Sequence, residues 1–200
     1  MSIAATQLMD ADEFLLWCLD REGQYELVDG VPVEMMAGAN RVHDRIVVNI
    51  IASLHQQLRG GPCHPTTADT GLRTRIRSVR RPDAMVTCDP PRGDTYEALI
   101  PRLAVEVLSK SNVGVPWDRK LGEYRRHQKL DYILLVDSAL VATKLYERTA
   151  NGWDELDANL FADAVDLPKI GCRLTLAQIY EDTGLVESPP VETDLVFVEG

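Results

Sequence analysis

The sequence predicts a mixed α/β fold in which a mostly antiparallel sheet is flanked by helices. Short β-type runs are joined by the turn dipeptides Asp29-Gly30 and Asn151-Gly152, which are typical of hairpins. One long segment, 40–59, keeps its apolar residues at helical spacing. The 200 residues, 45% of them hydrophobic, suffice for one core and show no internal repeat. We therefore expect a single domain over residues 10–186, followed by an acidic, Pro-containing tail over 187–200.

The remaining elements follow in order along the chain. Asp10 can cap a short first helix, and extended runs on both sides of Asp29-Gly30 form the first hairpin. Short strands follow the long helix, and Pro116 stands near the first turn of a second helix over about 117–129. We expect strands over 63–70, 71–78, 83–88, 102–109, 131–137, 141–148 and around Trp153, and a closing helix over 174–182.

The charge of the chain is uneven. The net charge of −10 argues against a protein that coats nucleic acid through its overall field. Residues 59–130, however, hold 14 Lys and Arg against 8 Asp and Glu, a local excess of 14 − 8 = 6 positive charges. This basic centre leaves room for a local phosphate-binding face.

The sequence also predicts a cytoplasmic location. Its apolar runs are shorter than the ~20 residues that span a bilayer, and its first residues lack the basic and apolar regions of a signal peptide. The four cysteines show no metal-ligand spacing, so we expect reduced thiols.

Glu106 is a carboxylate in the middle of the apolar strand PRLAVEVLSK. A buried charge there costs several kcal/mol unless a cation, a metal or hydrogen-bond donors compensate it. Asp83 opens the preceding strand. If the two strands form an antiparallel hairpin with loop 89–100, residue 88 lies opposite 101, and Asp83 lies opposite Glu106 on the same face. The other face is then apolar, with Ala84, Val86, Cys88, Leu103, Val105 and Val107.

Two facing carboxylates repel unless one takes up a proton or a cation lies between them. Mg²⁺ prefers oxygen ligands and uses one or two carboxylates together with water and substrate phosphates. The predicted pair therefore indicates phosphoryl-transfer or phosphodiester chemistry.

Lys120 adds a third group. It falls on the inward stripe of the second helix, which the residues Trp117, Leu121, Tyr124 and Gln128 mark. A lysine at such a position can also extend its ammonium to the surface. Next to the predicted acid pair we favour the inward orientation.

These residues resemble the PD-(D/E)XK nuclease superfamily and, within it, the Uma-type family of restriction endonucleases. The segments RPDAMVTCD, LAVEVLSKS and DRKLGEYRRHQKLDYILLVD carry the resemblance, which extends through nearly the whole chain. The superfamily signature is Pro-Asp, a spacer and Glu-x-Lys; Pro82-Asp83 and Glu106 match it, but Leu108 stands where the lysine belongs. The resemblance implies that this lysine has moved to the following helix, at Lys120; Lys110 is the nearer alternative.

The resemblance implies a restriction-endonuclease-like core and a Mg²⁺-dependent endonuclease that hydrolyses DNA. Asp83 and Glu106, with the Val107 carbonyl, would hold Mg²⁺, for which Mn²⁺ can substitute. Lys120 would orient the attacking water and offset phosphate charge.

Two further residues match the family pattern. Glu26 would be an additional metal ligand, or else a solvated carboxylate. His43 would help to position water or phosphate, or else make a structural hydrogen bond.

A row of arginines leads to this site. Arg73, Arg75 and Arg77 alternate with other residues and are expected on one strand face, and Arg81 extends the row to the edge of Asp83. Such a row suits contact with a DNA backbone, although a solvated strand face would look the same.

Two other functions remain open from the sequence. A catalytically decayed nuclease fold can serve as a nucleic-acid-binding or interaction module, as Leu108 and the overall acidity suggest. A Mg²⁺ enzyme acting on a smaller phosphate ester would be expected to show a dedicated small-ligand loop, and we find none. A homodimer is expected because cutting both DNA strands takes two sites.

Overall fold

A computed structural model describes residues 8–35, 40–109 and 117–187 of the chain. The helices are α1 (Ala11–Cys18), α2 (Arg41–Leu58), α3 (Trp117–Arg126) and α4 (Leu176–Ile179). The strands are β1 (Tyr25–Val28), β2 (Val31–Glu34), β3 (His64–Thr67), β4 (Leu72–Arg75), β5 (Ser78–Arg80), β6 (Ala84–Thr87), β7 (Pro101–Leu108), β8 (Tyr132–Asp137), β9 (Thr143–Thr149), β10 (Gly152–Ala158), β11 (Ala164–Leu167) and β12 (Cys172–Thr175).

A six-stranded central sheet, in the order β10-β9-β8-β7-β6-β3, organises the described chain. Its neighbouring strands run antiparallel except for the parallel pair β7–β8, which α3 connects. A four-stranded sheet, β2-β1-β5-β4, and the small hairpin β11–β12 accompany it. The predicted mixed α/β fold with a mostly antiparallel sheet flanked by helices is confirmed.

The two faces of the central sheet bury two separate cores. Alternate residues of its strands pack with α2, α4 and β12 in the first core, whose members include Ala84, Val86, Leu103, Val105, Val107, Leu134, Ile46 and Ile50. The intervening residues pack with α3 and β4 in the second core, whose members include Met85, Ala104, Ile133, Leu135, Tyr124 and Leu72. The strict alternation follows from the two-residue period of a strand.

The long helix forms where its apolar spacing predicts it. Asn40 caps α2 by accepting hydrogen bonds from the backbone N–H groups of Val42 and His43. Its buried stripe, Ile46, Ile50 and Leu54, lies against the central sheet. His43, in the first turn of α2, lies beside Asp83, which directly precedes β6.

Several element boundaries differ from those predicted. The segment 71–78 is not one strand, because the chain turns at residues 76–77 and β4 pairs back onto β5. Helix α3 ends at Arg126 rather than near residue 129, and the closing helix begins at Leu176 because Thr175 ends β12 and caps α4. Strand β11 has no predicted counterpart. It pairs with β12, and both strands contribute residues to the first core.

The cysteine prediction is also corrected. Cys63 and Cys88 form a disulfide, whereas Cys18 and Cys172 are free thiols. The disulfide is possible because β3 pairs antiparallel with β6, so that residues 63 and 88 flank the pair His64 and Thr87. The separation of 25 residues in sequence hides this proximity.

Buried ion pairs join the four-stranded sheet to α3. Arg80, only 4% exposed, donates two hydrogen bonds to the carboxylate of Glu123, from Nε to Oε2 at 2.8 Å and from Nη2 to Oε1 at 2.9 Å. Its Nη1 donates to Oε2 of Glu26 at 2.9 Å, and Thr74 Oγ1 donates to Glu123 at 2.9 Å. Such a pair stabilises the fold only when both partners are present.

We expect Arg80→Met to lower the free energy of unfolding by about 3–5 kcal/mol, because the buried Glu123 carboxylate loses its closest cation and is left with the half-exposed Arg119 at 3.4 Å. Urea unfolding measures this loss. The exposed pair Arg173–Asp166 supplies the control, since Arg173→Met should change stability by less than about 1 kcal/mol. Equal losses in the two variants would contradict a structural role for the buried pair.

Candidate active site

The predicted register between the two site strands is confirmed over most of its length. Ala84 pairs with Val105, Met85 with Ala104 and Val86 with Leu103. Asp83 precedes Ala84, so the same register, continued by one residue, places Asp83 opposite Glu106. At the far end a bulge shifts the pairing: Thr87 lies opposite Pro101, and not residue 88 as expected.

Asp83 is fixed to the neighbouring strand by its side chain. Its Oδ2 accepts a hydrogen bond of 2.7 Å from the backbone N–H of Val107. The N–H and C=O of one strand residue point to the same edge of that strand, so the Val107 carbonyl also faces the side on which Asp83 lies. The two groups expected to share a metal are therefore brought together.

Glu106 is 5% exposed and receives two donors from α3. Lys120 Nζ lies 2.7 Å from its Oε1, and the Tyr124 hydroxyl donates to the same oxygen at 2.6 Å. Burial raises the pKa of Glu106 to about 7; the Lys120 ammonium opposes this rise, and the Asp83 and Glu26 carboxylates add to it. A carboxyl group with this pKa is partly protonated and partly ionised near neutral pH.

Lys120 points inward, as its place on the helical stripe predicts. It is 7% exposed and lies between two carboxylates, 2.7 Å from Oε1 of Glu106 and 3.1 Å from Oε1 of Glu26. Burial alone would lower the pKa of the ammonium, but Glu106 and Glu26 outweigh it and raise the pKa above its ordinary value. Lys120 is therefore a buried, permanently charged group.

Glu26 holds this ammonium from the opposite side. Its Oε1 accepts the backbone N–H of Arg81 at 3.0 Å, and its Oε2 accepts Nη1 of Arg80 at 2.9 Å. Burial would raise the pKa of Glu26, but the charges of Lys120 and Arg80 outweigh it and hold the pKa below its ordinary value. Glu26 is therefore not the solvated carboxylate of the alternative expectation, and its role as an additional metal ligand stays a prediction.

His43, near the start of α2, completes the cluster. Its Nε2 lies 3.5 Å from Oδ2 of Asp83, and the ring is mostly buried. Burial would lower the pKa of His43, but the Asp83, Asp44 and Glu106 carboxylates raise it above the ordinary value. The imidazole therefore faces the same carboxylate that is expected to bind a metal.

The donor set fits a divalent cation of the Mg²⁺ type. In the described part of the chain no three His, Cys, Asp or Glu side chains converge on one point, so a site built wholly from such ligands is absent there. Mg²⁺ does not require one, because two carboxylates, a carbonyl and water suffice. Within the described ranges, the contacts of Asp83 all involve Oδ2 and those of Glu106 all involve Oε1. One oxygen of each carboxylate remains for a cation.

The local charge favours the same cation. Glu26 and Glu106 contact the buried Lys120 ammonium, and Glu26 and Glu123 contact the buried Arg80 guanidinium. The Asp83 and Glu26 carboxylates add to the rise that burial causes in the pKa of Glu106, and a divalent cation would offset their repulsion.

The predicted arginine row does not form on one strand face. Arg73 is held by Glu97 through hydrogen bonds of 2.8 and 2.9 Å and also contacts Asp12. Arg81 is 8% exposed, and its guanidinium donates to the carbonyls of Tyr25, Ala68 and Asp69. The side chains of Arg73 and Arg81 thus make contacts within the fold. The row is also broken because the turn at 76–77 divides the segment into two strands.

Arg75 and Arg77 are the exposed members of the predicted row. They flank Ile76, which is 79% exposed, in the β4–β5 turn. Backbone bonds fix this turn: the Ile76 carbonyl accepts the Ala11 N–H at 2.9 Å, and the Arg77 carbonyl accepts the Gly30 N–H at 2.7 Å. Lys110, the alternative catalytic lysine, lies outside the described residues.

Sequence reasoning missed three participants in this cluster. Tyr124 was placed on the inward stripe but given no role, although it lies four residues after Lys120 on the same helical face. Glu123 and Arg80 were not recognised as partners. The local signal for Glu123 is its position directly before Tyr124, on the inward stripe of α3, which favours a partly buried carboxylate.

Comparisons with known proteins identify the family of the chain and a shared fold. The family described as "Uma2: Putative restriction endonuclease" matches residues 11–177. The chain belongs to this family. The resemblance inferred from the Pro-Asp, Glu106 and Lys120 segments is thereby confirmed.

The chain is also similar to two uncharacterized Synechocystis sp. proteins. The protein slr1290 is 31% identical over 175 residues, which cover 86% of this chain and 91% of that protein. The protein sll1609 is 27% identical over 155 residues, which cover 76% of this chain and 87% of that protein.

A solved structure shares the fold. The crystal structure of a putative nuclease belonging to DUF820 from Anabaena variabilis superposes with a TM-score of 0.65, covering 86% of this chain and 97% of that one, at 14% identity. The family and the fold of this chain are those of restriction-endonuclease-like nucleases. No described helix is both long and apolar enough to cross a membrane.

The raised pKa of Glu106 predicts a pH dependence of stability. Between pH 4.5 and about 7 the folded state retains a proton that the unfolded chain has lost, so the free energy of unfolding should fall as pH rises through this window. We expect Glu106→Gln to remove this slope.

Urea unfolding in EDTA between pH 5 and 6.5 measures the effect as the difference in slope between the wild type and Glu106→Gln, because His43, with its raised pKa, and His127, with its lowered pKa, contribute slopes of opposite sign in both proteins. The exposed Glu181→Gln is the control and should keep the wild-type slope. An unchanged slope in Glu106→Gln would show that this carboxyl ionises normally.

Proposed function

We propose that this protein is a Mg²⁺-dependent endonuclease that hydrolyses phosphodiester bonds in DNA, with Mn²⁺ as a substitute cation. The observation that carries the proposal is the buried ammonium of Lys120, 2.7 Å from Glu106 on the strand next to Asp83. This is the set of charges that the superfamily signature requires, although Leu108 replaces the lysine within the strand.

Asp83 and Glu106, with the Val107 carbonyl, would hold the cation. When bound, a divalent cation supplies Lewis-acid stabilisation of the phosphate and a water of lowered pKa. The oxygens available to it would be those that the described contacts leave without a hydrogen bond, Oδ1 of Asp83 and Oε2 of Glu106.

Lys120 would orient the attacking water and offset the charge that develops on the scissile phosphate. Its ammonium is shared between Glu106 and Glu26, so it can move toward an incoming phosphate without losing both counter-ions. Glu26 thus supports the proposal as the residue that anchors the relocated lysine.

His43 would position water or phosphate beside Asp83. The imidazole lies 3.5 Å from Oδ2 of Asp83, close enough to contribute a proton donor at the edge of the metal site. Because nearby carboxylates raise its pKa, the protonated form is available near neutral pH.

Arg75 and Arg77 are the proposed contacts to the DNA backbone. Both are exposed at a turn that backbone hydrogen bonds hold in place, whereas Arg73 and Arg81 are committed to carboxylate and carbonyl partners. Backbone contacts of this kind set the position of a protein on DNA without reading its sequence.

A homodimer is part of this proposal, because a cut through both strands takes two sites. The DNA substrate also leads us to propose a cytoplasmic location.

A second candidate function is a nucleic-acid-binding module on a decayed nuclease fold, which the replacement of the strand lysine by Leu108 favours. The two functions differ in whether DNA is cut after it is bound.

Cleavage of plasmid and single-stranded DNA in Mg²⁺ tests the proposal. We expect Asp83→Ala and Lys120→Met each to lower the cleavage rate by about 100-fold or more, because each removes a group that stabilises the transition state. Lys129→Met, which removes an exposed lysine three residues beyond α3, is the matched control and should cleave like the wild type.

A wild type that binds DNA but does not cleave it with Mg²⁺, Mn²⁺, Co²⁺ or Ni²⁺ would favour the binding module. Cleavage by Lys120→Met at the wild-type rate would show instead that the lysine is not catalytic.

The arginine contacts are tested by DNA affinity as a function of salt. We expect Arg75→Ala and Arg77→Ala each to weaken binding and to reduce the slope of log K against log salt by about 1, because each removes one phosphate contact. Arg173→Ala, an exposed arginine on β12, should leave the slope unchanged. Fluorescence anisotropy with a labelled duplex measures all three variants, and equal slopes throughout would exclude this turn from the interface.

A further inference from the structure

Two donors from one helix converge on a single oxygen of Glu106. Lys120 and Tyr124 lie four residues apart on α3, which places them one turn apart on the same face. The ammonium is 2.7 Å from Oε1, and the hydroxyl donates to that oxygen at 2.6 Å. No other hydrogen bond or ion pair to Glu106 occurs within the described ranges, so Oε2 is the oxygen left for a cation.

The two donors differ in how firmly they are held. The Tyr124 ring is completely buried in the second core, which also contains Ala104 and Leu135, so its hydroxyl cannot turn away without repacking. Burial and the charges of Glu106 and Glu26 keep the pKa of Tyr124 well above its ordinary value, and the hydroxyl stays neutral. Lys120, in contrast, is shared with Glu26 at 3.1 Å.

A divalent cation bound to Glu106 would repel the Lys120 ammonium, which Glu26 can hold from the other side at 3.1 Å. Whatever part of the contact between Lys120 and Oε1 is lost when the cation binds, Tyr124 remains there. Tyr124 is therefore the donor that keeps Oε1 occupied in the cation-bound site, with or without DNA.

We propose that Tyr124 is a positioning residue that makes the site selective for small octahedral cations over Ca²⁺. With Oε1 held by the hydroxyl, Glu106 can offer a cation only Oε2. One oxygen per carboxylate suits Mg²⁺ and Mn²⁺, whereas Ca²⁺ takes six to eight oxygens and readily accepts both oxygens of one carboxylate. This inference rests on the proposed function in one respect, that a divalent cation binds Glu106.

The test compares cation affinities of the wild type and Tyr124→Phe in the full chain, without DNA. Bound Mn²⁺ is followed by its electron paramagnetic resonance signal, and Mg²⁺ and Ca²⁺ are titrated as competitors. The removal of a hydrogen bond to a charged group corresponds to a change of about 10- to 100-fold in an equilibrium constant. We expect the ratio of the Ca²⁺ Kd to the Mg²⁺ Kd to fall by about tenfold or more in Tyr124→Phe.

Tyr180→Phe is the matched control. Tyr180 is also buried and donates its hydroxyl to the carbonyls of Asp137 and Ala142, but its contacts lie in the first core. This variant loses a buried tyrosine hydroxyl of the same kind and should keep the wild-type ratio. A shift of equal size in both variants would assign the effect to general loosening and overturn the proposal.

A second substitution keeps the test open if Tyr124→Phe does not fold. Incorporation of 3,5-difluorotyrosine at position 124 preserves the shape and makes the hydroxyl a stronger donor, so the ratio should rise above the wild-type value. An unchanged ratio, or equal weakening of both cations, would overturn the selectivity role.

Failure of the proposed function gives different results. A wild type that binds Mn²⁺ selectively but cuts no DNA would remove the nuclease proposal and leave the role of Tyr124 in place. A wild type that binds none of the three cations would remove the metal site and this inference together.

Discussion

The burial of one ammonium group constrains most of this structure. Lys120 is almost inaccessible to water, and a buried charge is tolerated only with hydrogen-bonded counter-ions. Its partners come from different parts of the fold: Glu106 from the central sheet and Glu26 from the four-stranded sheet. The two sheets and α3 must therefore meet at this point. Arg80 and Glu123 repeat the arrangement next to it, so that charge compensation, rather than apolar packing alone, joins the smaller sheet to the helix.

The parts of the site that the sequence predicted are those governed by short periods. The two-residue period of a strand fixed which residues of β6 and β7 face the first core, and the acids follow on the other face. The 3.6-residue period of α3 placed Lys120 inward. Hairpin dipeptides located two turns, because Gly30 and Gly152 adopt positive φ values that few other residues tolerate. In each case the information lies within a few neighbouring residues.

The features that the sequence did not predict depend on contacts between distant segments. Arg73 and Arg81 look like surface residues in a basic run, yet their partners Glu97 and Tyr25 lie far along the chain in either direction. The turn at residues 76–77 contains no glycine, proline or asparagine, so nothing marks it locally. The disulfide between Cys63 and Cys88 required knowledge that β3 lies beside β6. Each of these depends on tertiary packing, which no local pattern encodes.

Strand β6 is fastened at both ends, to a different neighbour at each. At its start the Asp83 side chain accepts the N–H of Val107 in β7, and directly after its end Cys88 is joined covalently to the segment before β3. A strand held in this way cannot slide past its neighbours by one residue, a shift that would turn every side chain to the opposite face. The spacing of Asp83 and Glu106 is thereby decoupled from the connection 89–100. The length of that connection can therefore change while the two carboxylates keep their places.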